Sequence, residues 1–206
     1  MDKKMLIFDF DGVLVDTLMI CYEINTQVND ELSVDEYKSF FEGNIFAAVR
    51  SNGAPRNKHP EFFDQYRSKT RELVIPDEHA ALVRRLAERY ILTVASSTDS
   101  SCIADILARH GIRESFKDIL GADVHASKVV KIRSLLEKFA VSADNAIFIT
   151  DTVGDIREGK ECGVNSIAVT WGFHERVKLE SEKPHAVVDT VPELEHAIER
   201  FFAARA

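Results

Sequence analysis

The sequence predicts a doubly wound α/β fold with a mostly parallel sheet and a small helical domain inserted after the first strand. Several apolar, β-rich runs lack the alternation of a half-exposed strand, which is typical of parallel strands covered on both faces. Helical patterns separate these runs from about residue 77 onward, and this alternation predicts βαβ units. Residues 17–76 hold helical stretches but no good strand, so this segment is the predicted insertion.

Six segments are predicted as strands, and the last of them is short. They are Met5–Phe8, Ile91–Ala95, Phe116–Leu120, Ala146–Thr150, 166–170 and Ala186–Val188. Asp99, Ser127 and Asp155 are predicted to cap the helices that follow the second, third and fourth strands. Gly111 and Gly163 stand where the first and third of these helices should end.

The predicted domain division places residues 1–16 and 77–206 in an α/β core and residues 17–76 in a helical cap. In open α/β sheets, ligands bind beyond the carboxyl ends of the strands. An insertion that leaves the core at this edge would cover the crevice as a lid.

Charge and cysteine content narrow the class of protein. Lys and Arg number 26 against 34 Asp and Glu, a net charge of −8, which argues against general nucleic-acid binding. A small anionic ligand is not excluded, because a metal ion or a few cations can reverse the field locally. The three cysteines include no Cys-x-x-Cys, which predicts reduced thiols in a cytoplasm. No apolar run approaches the roughly 18 residues of a membrane span, so none is expected.

The stretch FDFDG ends the first predicted strand with two acids, Asp9 and Asp11. Residues two apart in a strand point to the same side, so the two carboxylates should project together. Buried carboxylates are costly unless a cation or hydrogen bonds compensate them. Gly12 permits a tight turn that would bring backbone N–H groups toward a ligand. The alternative interpretation is a strand that simply ends in a polar turn.

Two further strand ends carry groups suited to an anion. Ser96, Ser97 and Thr98 lead into a helix whose N-terminus would attract one. Lys128 falls in the first turn of the helix after Ser127. A cation there interacts unfavourably with the helix dipole, at a cost of about 0.3–1 kcal/mol. An anion held nearby would make this lysine easier to accommodate. An ordinary N-cap cluster and a solvated surface lysine are the alternatives.

The end of the fourth strand adds two more acids. Asp151 and Asp155 flank the glycine turn of ITDTVGD, and Asp155 alone would be a simple N-cap. With Asp9 and Asp11 they form four carboxylates expected at one edge of the sheet. Like charges this close cannot all ionise without a cation. Oxygen ligands with retained waters suit Mg²⁺, so the sequence predicts a magnesium site.

DFDGVLVDT, the Ser96 turn, Lys128 and the TDTVGD stretch resemble, in order and strand-end context, the four motifs of the haloacid dehalogenase-like hydrolases. The resemblance is closest to the phosphoglycolate phosphatase and β-phosphoglucomutase branch, which has a Rossmann-like core and a helical cap after the first motif. It covers residues 5–16 and about 77–189, whereas the cap shows no clear match.

The resemblance implies a role for each matching residue. Asp9 is similar to the nucleophile that forms an aspartyl phosphate, and Asp11 to the general acid/base. Ser96, with its neighbour Ser97, and Lys128 are similar to the phosphate-binding groups. The implied metal ligands are Asp9, the Asp11 backbone carbonyl and Asp151, with Asp155 as a ligand or as a support through water.

The sequence departs from the family pattern at several positions. Thr150 stands where Gly commonly precedes the first acid of the last motif, and Val129 follows Lys128 where Pro is frequent. Asp77 follows Pro76 where Gly is usual. Lys131 is a rival for the phosphate-binding lysine if its helix begins later than Ser127 predicts.

Three functions are compatible with these residues. The first is a Mg²⁺-dependent phosphatase that acts on a small phosphorylated metabolite, with no nucleic-acid or membrane partner. The second is a phosphomutase that keeps the same covalent step. The third is a non-catalytic phosphoacceptor signalling module, against which the position of the acids at the first strand and the long insertion argue.

The stretch VRSNGAPRNKHP in the predicted cap carries a local basic cluster of Arg50, Arg56, Lys58 and His59 without an acid. Its Gly and Pro residues predict a loop. One interpretation is a solvated loop. The other is that Arg50 or Arg56 pairs with a second anionic group on the substrate, for which the guanidinium is the better bidentate partner.

Overall fold

The computed structural model describes residues 3–26, 32–44 and 62–205. In this part of the chain, a parallel six-stranded sheet has the order β3-β2-β1-β4-β5-β6. The strands are β1 (Met5–Phe8), β2 (Ile91–Ala95), β3 (Phe116–Leu120), β4 (Ala146–Thr150), β5 (Asn165–Val169) and β6 (Ala186–Val188). The predicted parallel sheet is confirmed, and only the fifth strand begins and ends one residue earlier than predicted.

The described helices, labelled in chain order, connect and precede these strands. They are α1 (Leu18–Thr26), α2 (Val34–Ser39), α3 (Phe62–Lys69), α4 (Asp77–Ala87), α5 (Ser100–Arg109), α6 (Lys128–Phe139), α7 (Val153–Glu161), α8 (Arg176–Ser181) and α9 (Val191–Ala203). Short 3₁₀ helices cover Phe40–Glu42, Thr70–Glu72, Arg113–Ser115 and Ala143–Asn145. No helix among the described residues has both the length and the apolar character to cross a membrane.

Helices cover both faces of the sheet because the strands are apolar on both sides. Leu6 and Phe8 of β1 belong to the buried cluster that includes apolar residues of α4, α5 and α9. Met5 and Ile7 alternate with them and pack with Ile132 and Leu135 of α6 on the other face. This double covering explains why the strand sequences run continuously apolar.

The sheet topology brings the polar strand ends together. β1 lies between β2 and β4, with Phe8 in register with Val94 and Ile149. The residues after β1, β2 and β4 therefore emerge side by side at the carboxyl edge, where open α/β sheets bind ligands. These are the segments that carry Asp9, Ser96 and Asp151.

The described helices of residues 17–76 pack against this same edge. The 3₁₀ helix Phe40–Glu42 places the Phe41 ring edge-on to Phe173, with 4.9 Å between ring centroids. A Cβ on Gly154 would lie 2.4 Å from the Gly43 carbonyl oxygen, so the chain passes directly over the start of α7. The division into two domains at residues 16/17 and 76/77 stays a prediction.

Candidate active site

Asp9 follows β1 directly and is fixed by the sheet. Its N–H donates to the Ile149 carbonyl (2.9 Å), which continues the β1–β4 pairing by one residue. Its Oδ1 accepts the N–H of Phe10 (2.7 Å), and its side chain is buried. The carboxylate is therefore held at the base of the crevice, in the position expected of the first acid.

Lys128 joins two of the acids. Its Nζ lies 2.8 Å from Asp9 Oδ2 and 2.6 Å from Asp155 Oδ2, and the residue is 5% exposed. Burial lowers the pKa of Lys128, but the two carboxylates outweigh it, so the pKa lies above its ordinary value. The structure places this lysine in the crevice rather than in solvent.

The helix of Lys128 begins where the sequence predicts, but its cap differs. Ser127 is the N-cap residue, yet its hydroxyl makes no capping bond to the helix. Instead, the Glu158 carboxylate of α7 accepts the N–H of Lys128 (3.0 Å). Lys128 adds a positive charge to the N-terminus of α6, which is already the positive end of the helix dipole. The Glu158 carboxylate, from the neighbouring helix α7, offsets this charge.

The prediction that Asp155 is the N-cap of its helix is wrong. Thr152 takes that place, with extended backbone and its hydroxyl accepting the Asp155 N–H (3.4 Å). Asp155 lies one turn further on, and its carboxylate accepts from Lys128 and from the Thr150 hydroxyl (2.7 Å). Thr150, a departure from the family pattern, therefore supports this carboxylate directly.

Asp151 is fully buried at the end of β4. Its Oδ2 accepts the N–H of Phe173 (2.7 Å), whereas its Oδ1 has no hydrogen-bond partner among the described residues. Burial raises the pKa of Asp151 to about 7, against the lowering effect of the Phe173 N–H. A buried, unpaired carboxylate oxygen is costly, which indicates that a group outside the chain completes the site.

Gly12 makes room for Asp151. Its φ is +74°, and a Cβ there would lie 2.0 Å from Asp151 Oδ2. Its N–H donates to the Val15 carbonyl (2.8 Å), so the structure assigns this N–H to the turn rather than to a ligand. Backbone conformation and the space beside Asp151 both require glycine here, whereas a role for Gly12 in phosphate binding stays a prediction.

We expect Gly12→Ala to disable the site, because the new methyl group must displace the Asp151 carboxylate. Gly163→Ala is the matched control: its φ is +72°, but its Cβ would meet only Ala143 Cβ at 3.7 Å. Both variants should lose about 1–2 kcal/mol of unfolding free energy from left-handed backbone. Only Gly12→Ala should also lose catalytic activity. Phosphate release measures the activity of each variant, and urea unfolding measures its stability. Equal activity in the two variants would contradict this role of Gly12.

The Asp11 carboxylate is surrounded by hydroxyl groups. Its Oδ1 accepts from Thr17 Oγ1 and Tyr66 Oη, both at 2.7 Å. Its Oδ2 accepts from Thr98 Oγ1 (2.6 Å) and lies 3.4 Å from Ser96 Oγ. Hydroxyl groups can both donate and accept, so this environment suits a carboxyl group that gains and loses a proton.

The turn after β2 is built from the predicted hydroxyl residues. Ser96 is buried and its Oγ accepts the Thr98 N–H (3.1 Å), while Ser97 between them is half-buried. Fully buried Lys131 donates from Nζ to the Ser96 carbonyl. Burial, with Lys128 nearby, lowers the pKa of Lys131 to about 8. Lys131 thus supports the turn from behind, whereas Lys128 contacts the acids.

The residues that follow β5 lie against Asp151. Phe173 binds Asp151 through its N–H, and a Cβ on Gly172 would lie 2.3 Å from Asp151 Cβ. Buried His174 accepts the Val153 N–H at Nδ1 (3.0 Å) and donates from Nε2 to the Lys38 carbonyl (3.0 Å). His125, the other histidine near a strand end, is exposed.

The contacts of Asp11 were not predictable from local sequence. Thr17 is the last residue of the DFDGVLVDT stretch and Tyr66 lies far along the insertion, and neither stands at a strand end. The basic cluster with Arg50 and Arg56 lies outside the described residues, so its predicted role stays a prediction.

The four predicted acids share the carboxyl edge of the sheet, where the charges of Asp155, Asp151 and Asp11 each raise the pKa of Asp9, and their role as a metal site stays a prediction. No three acidic, histidine or cysteine side chains among the described residues form a group that could hold a metal ion. The reason is that Lys128 stands between Asp9 and Asp155, while Asp11 is turned toward its hydroxyl neighbours.

A smaller donor set still fits Mg²⁺. This ion commonly takes one or two carboxylates and keeps several waters. Asp9 and Asp151 could supply the carboxylates, and Asp151 Oδ1 is the buried oxygen that lacks a partner among the described residues. Burial raises the pKa of Asp9 well above its ordinary value despite Lys128, and a cation bound beside this carboxylate would lower that pKa.

The fold and this constellation define a class of α/β enzyme that works with carboxylates at the carboxyl edge of a parallel sheet. A family model described as haloacid dehalogenase-like hydrolase matches residues 6–169. The chain belongs to the haloacid dehalogenase-like hydrolase family, as the four motifs predict.

Curated relatives match along nearly the whole chain. "Probable phosphatase IndB" of Dickeya dadantii is 29% identical, and the match covers 93% of this chain and 92% of that protein. "Phosphoglycolate phosphatase" of Vibrio cholerae is 24% identical, with 91% and 93% covered. The predicted enzyme class, a phosphatase of this family in the phosphoglycolate phosphatase-like branch, is thereby confirmed.

Solved structures share the fold. A hydrolase from Pseudomonas syringae superposes with a TM-score of 0.80 at 14% identity, covering 96% of this chain and 99% of its own. A haloacid dehalogenase-like family protein from Streptococcus pneumoniae gives 0.74 at 24% identity, with 93% and 96% covered. At these identities the likeness supports the predicted fold class alone.

Proposed function

We propose that this enzyme hydrolyses a small phosphomonoester in two steps, through an aspartyl phosphate on Asp9, with Mg²⁺. The observation that carries the proposal is the contrast between its two leading acids. Asp9 is buried against the ammonium group of Lys128, whereas Asp11 is held among hydroxyl groups. One environment suits a charged nucleophile and the other suits a proton carrier.

In the first step, an Asp9 carboxylate oxygen attacks phosphorus, and the bond between phosphorus and the leaving oxygen breaks. The electron pair of that bond goes to the leaving oxygen, which takes a proton from Asp11 and departs as an alcohol. Lys128, 2.8 Å from Asp9, reduces the repulsion between the carboxylate and the anionic phosphoryl group.

In the second step, the Asp11 carboxylate removes a proton from water, which attacks the phosphorus of the acyl phosphate. The bond between phosphorus and the Asp9 oxygen breaks, inorganic phosphate leaves, and Asp9 returns as a carboxylate. Asp11 thereby regains the proton that it donated in the first step, so the cycle is balanced.

The phosphoryl group would lie between Lys128 and the Ser96–Ser97–Thr98 turn. Lys131 holds this turn through the Ser96 carbonyl, and Asp155 orients Lys128 from the opposite side. Asp9, Asp151 and the Asp11 backbone carbonyl would hold Mg²⁺. When bound, the ion supplies positive charge that stabilises the transferring phosphoryl group.

Mg²⁺ should stabilise the purified protein before any substrate is added. Binding to the folded state alone stabilises by about 2.7 kcal/mol at one hundred times Kd, a rise in Tm of about 5–10 °C for a chain of this size. The shift should disappear with EDTA and in Asp151→Asn, but persist in Asp144→Asn, which removes an exposed acid. A shift that survives in Asp151→Asn would place the ion elsewhere.

The relative named phosphoglycolate phosphatase makes 2-phosphoglycolate the first substrate to test. A screen of phosphorylated metabolites with p-nitrophenyl phosphate as the reference would test the whole proposal. Release of inorganic phosphate with Mg²⁺ supports hydrolysis, and absence of release from every ester would overturn it.

The same screen separates hydrolysis from the two alternatives, because neither alternative releases inorganic phosphate in turnover. A phosphomutase would convert β-glucose 1-phosphate to its 6-phosphate without releasing phosphate, and no observation on the described residues favours this over hydrolysis. A signalling module would retain the phosphoryl group without turnover, an outcome that membership of a hydrolase family argues against. The cytoplasmic location stays a prediction.

A further inference from the structure

Tyr66 brings a phenol group from the inserted segment to the Asp11 carboxylate. The residue lies on α3, is fully buried, and its Oη donates to Asp11 Oδ1 at 2.7 Å. Fifty-five positions separate the two residues in the chain. The contact therefore exists only when α3 is seated against the carboxyl edge of the sheet.

The hydroxyl groups around Asp11 divide its two oxygens into different roles. Oδ1 is bound by Thr17 and Tyr66, both from the inserted segment. Oδ2 faces Thr98 and Ser96, in the turn expected to hold phosphate. Oδ1 thus faces the inserted segment, whereas Oδ2 faces the turn expected to hold phosphate.

The surroundings of Tyr66 give its hydroxyl a fixed position. The ring belongs to a buried cluster that also contains Cys21, Cys102 and Phe173, from the inserted segment and the core. The next residue, Arg67, pairs with Asp105 on α5 at 3.1 Å and donates to Ser101 Oγ at 2.7 Å. Apolar packing and these polar contacts together hold α3 in register with Asp11.

We propose that Tyr66 is a positioning residue that orients the Asp11 carboxyl group so that Oδ2 exchanges the proton. This inference rests on the proposed phosphatase function and extends it to a residue of the insertion. Without the phenol O–H, Thr17 is the one remaining partner of Oδ1 among the described residues, and the carboxyl group gains rotational freedom. Proton delivery to a poor leaving group should suffer, while attack by Asp9 should not.

Tyr66→Phe tests this with two substrates whose leaving groups differ. For both esters, kcat/KM includes the steps up to departure of the leaving group, so it reports the first half-reaction. β-Glycerophosphate loses an alkoxide that needs a proton, whereas p-nitrophenolate leaves without one. We expect kcat/KM to fall by about tenfold to a hundredfold for β-glycerophosphate and by less than about twofold for p-nitrophenyl phosphate.

The two substrates are compared within each variant, because loss of folded protein lowers both kcat/KM values equally and cancels from their ratio. Tyr37→Phe is the matched control: Tyr37 is also buried in this cluster, but its hydroxyl accepts from Asn25 (3.2 Å). Its ratio of kcat/KM values should equal that of the unaltered enzyme. An unchanged ratio in Tyr66→Phe, or the same change in both variants, would overturn the inference. Lack of phosphate release by the unaltered enzyme would instead reject the proposed function itself.

Discussion

Replacing Asp9 by asparagine should lower phosphate release by at least about four orders of magnitude, because an amide cannot act as the attacking carboxylate. The fold should survive, since the amide oxygen can still accept the Phe10 N–H that Asp9 Oδ1 accepts at 2.7 Å. The contact with Lys128 at 2.8 Å becomes a neutral amide facing an ammonium group. Initial rates with p-nitrophenyl phosphate measure the loss.

Asp16→Asn is the control for this substitution. Asp16 is an exposed acid of the same segment, and among the described residues its carboxylate accepts only the Leu18 N–H, at 3.3 Å. Its activity should stay near that of the unaltered enzyme. If Asp9→Asn kept a tenth of the activity or more, Asp9 would not be the nucleophile. Thermal unfolding of both variants would separate a chemical effect from loss of fold.

The core of this site was predictable because its residues follow strands. The ends of β1, β2 and β4 can be recognised from apolar runs that stop at acids or hydroxyl residues. Parallel pairing then brings those ends to one edge, so Asp9, Ser96 and Asp151 could be placed without coordinates. Lys128 was located by one further local signal, the cap position of Ser127.

The wrong and missing assignments involve choices that local sequence leaves open. Thr152 and Asp155 are both good N-cap residues. The Asp155 carboxylate is bound by Lys128 and Thr150, and Thr152 caps the helix instead. Tyr66, 55 positions along the chain, reaches Asp11 through packing of α3 against the core. Such contacts depend on tertiary arrangement, which no periodicity in residues 17–76 specifies.

Removing the ammonium group of Lys128 should be far more damaging than removing that of Lys131. Lys128→Met leaves Asp9 and Asp155 buried without their shared cation, which should cost about 3–5 kcal/mol of unfolding free energy. Phosphate release should fall by about a hundredfold to a thousandfold, as for other deletions of a charge-stabilising group. Among the described residues, Lys131→Met deprives only the Ser96 carbonyl of its donor, at a cost of about 1–3 kcal/mol.

The two variants should also differ in what they do to anion binding. Lys128 lies where the transferring phosphoryl group is expected, so Lys128→Met should abolish competitive inhibition by inorganic phosphate. Lys131→Met should weaken this inhibition only slightly, because its ammonium group faces the back of the Ser96 turn. Lys138→Met, on the exposed side of the same helix, controls for the loss of one positive charge. If Lys131→Met lost phosphate inhibition and Lys128→Met kept it, Lys131 would be the phosphate-binding lysine, and Lys128 would serve only to hold Asp9 and Asp155 together.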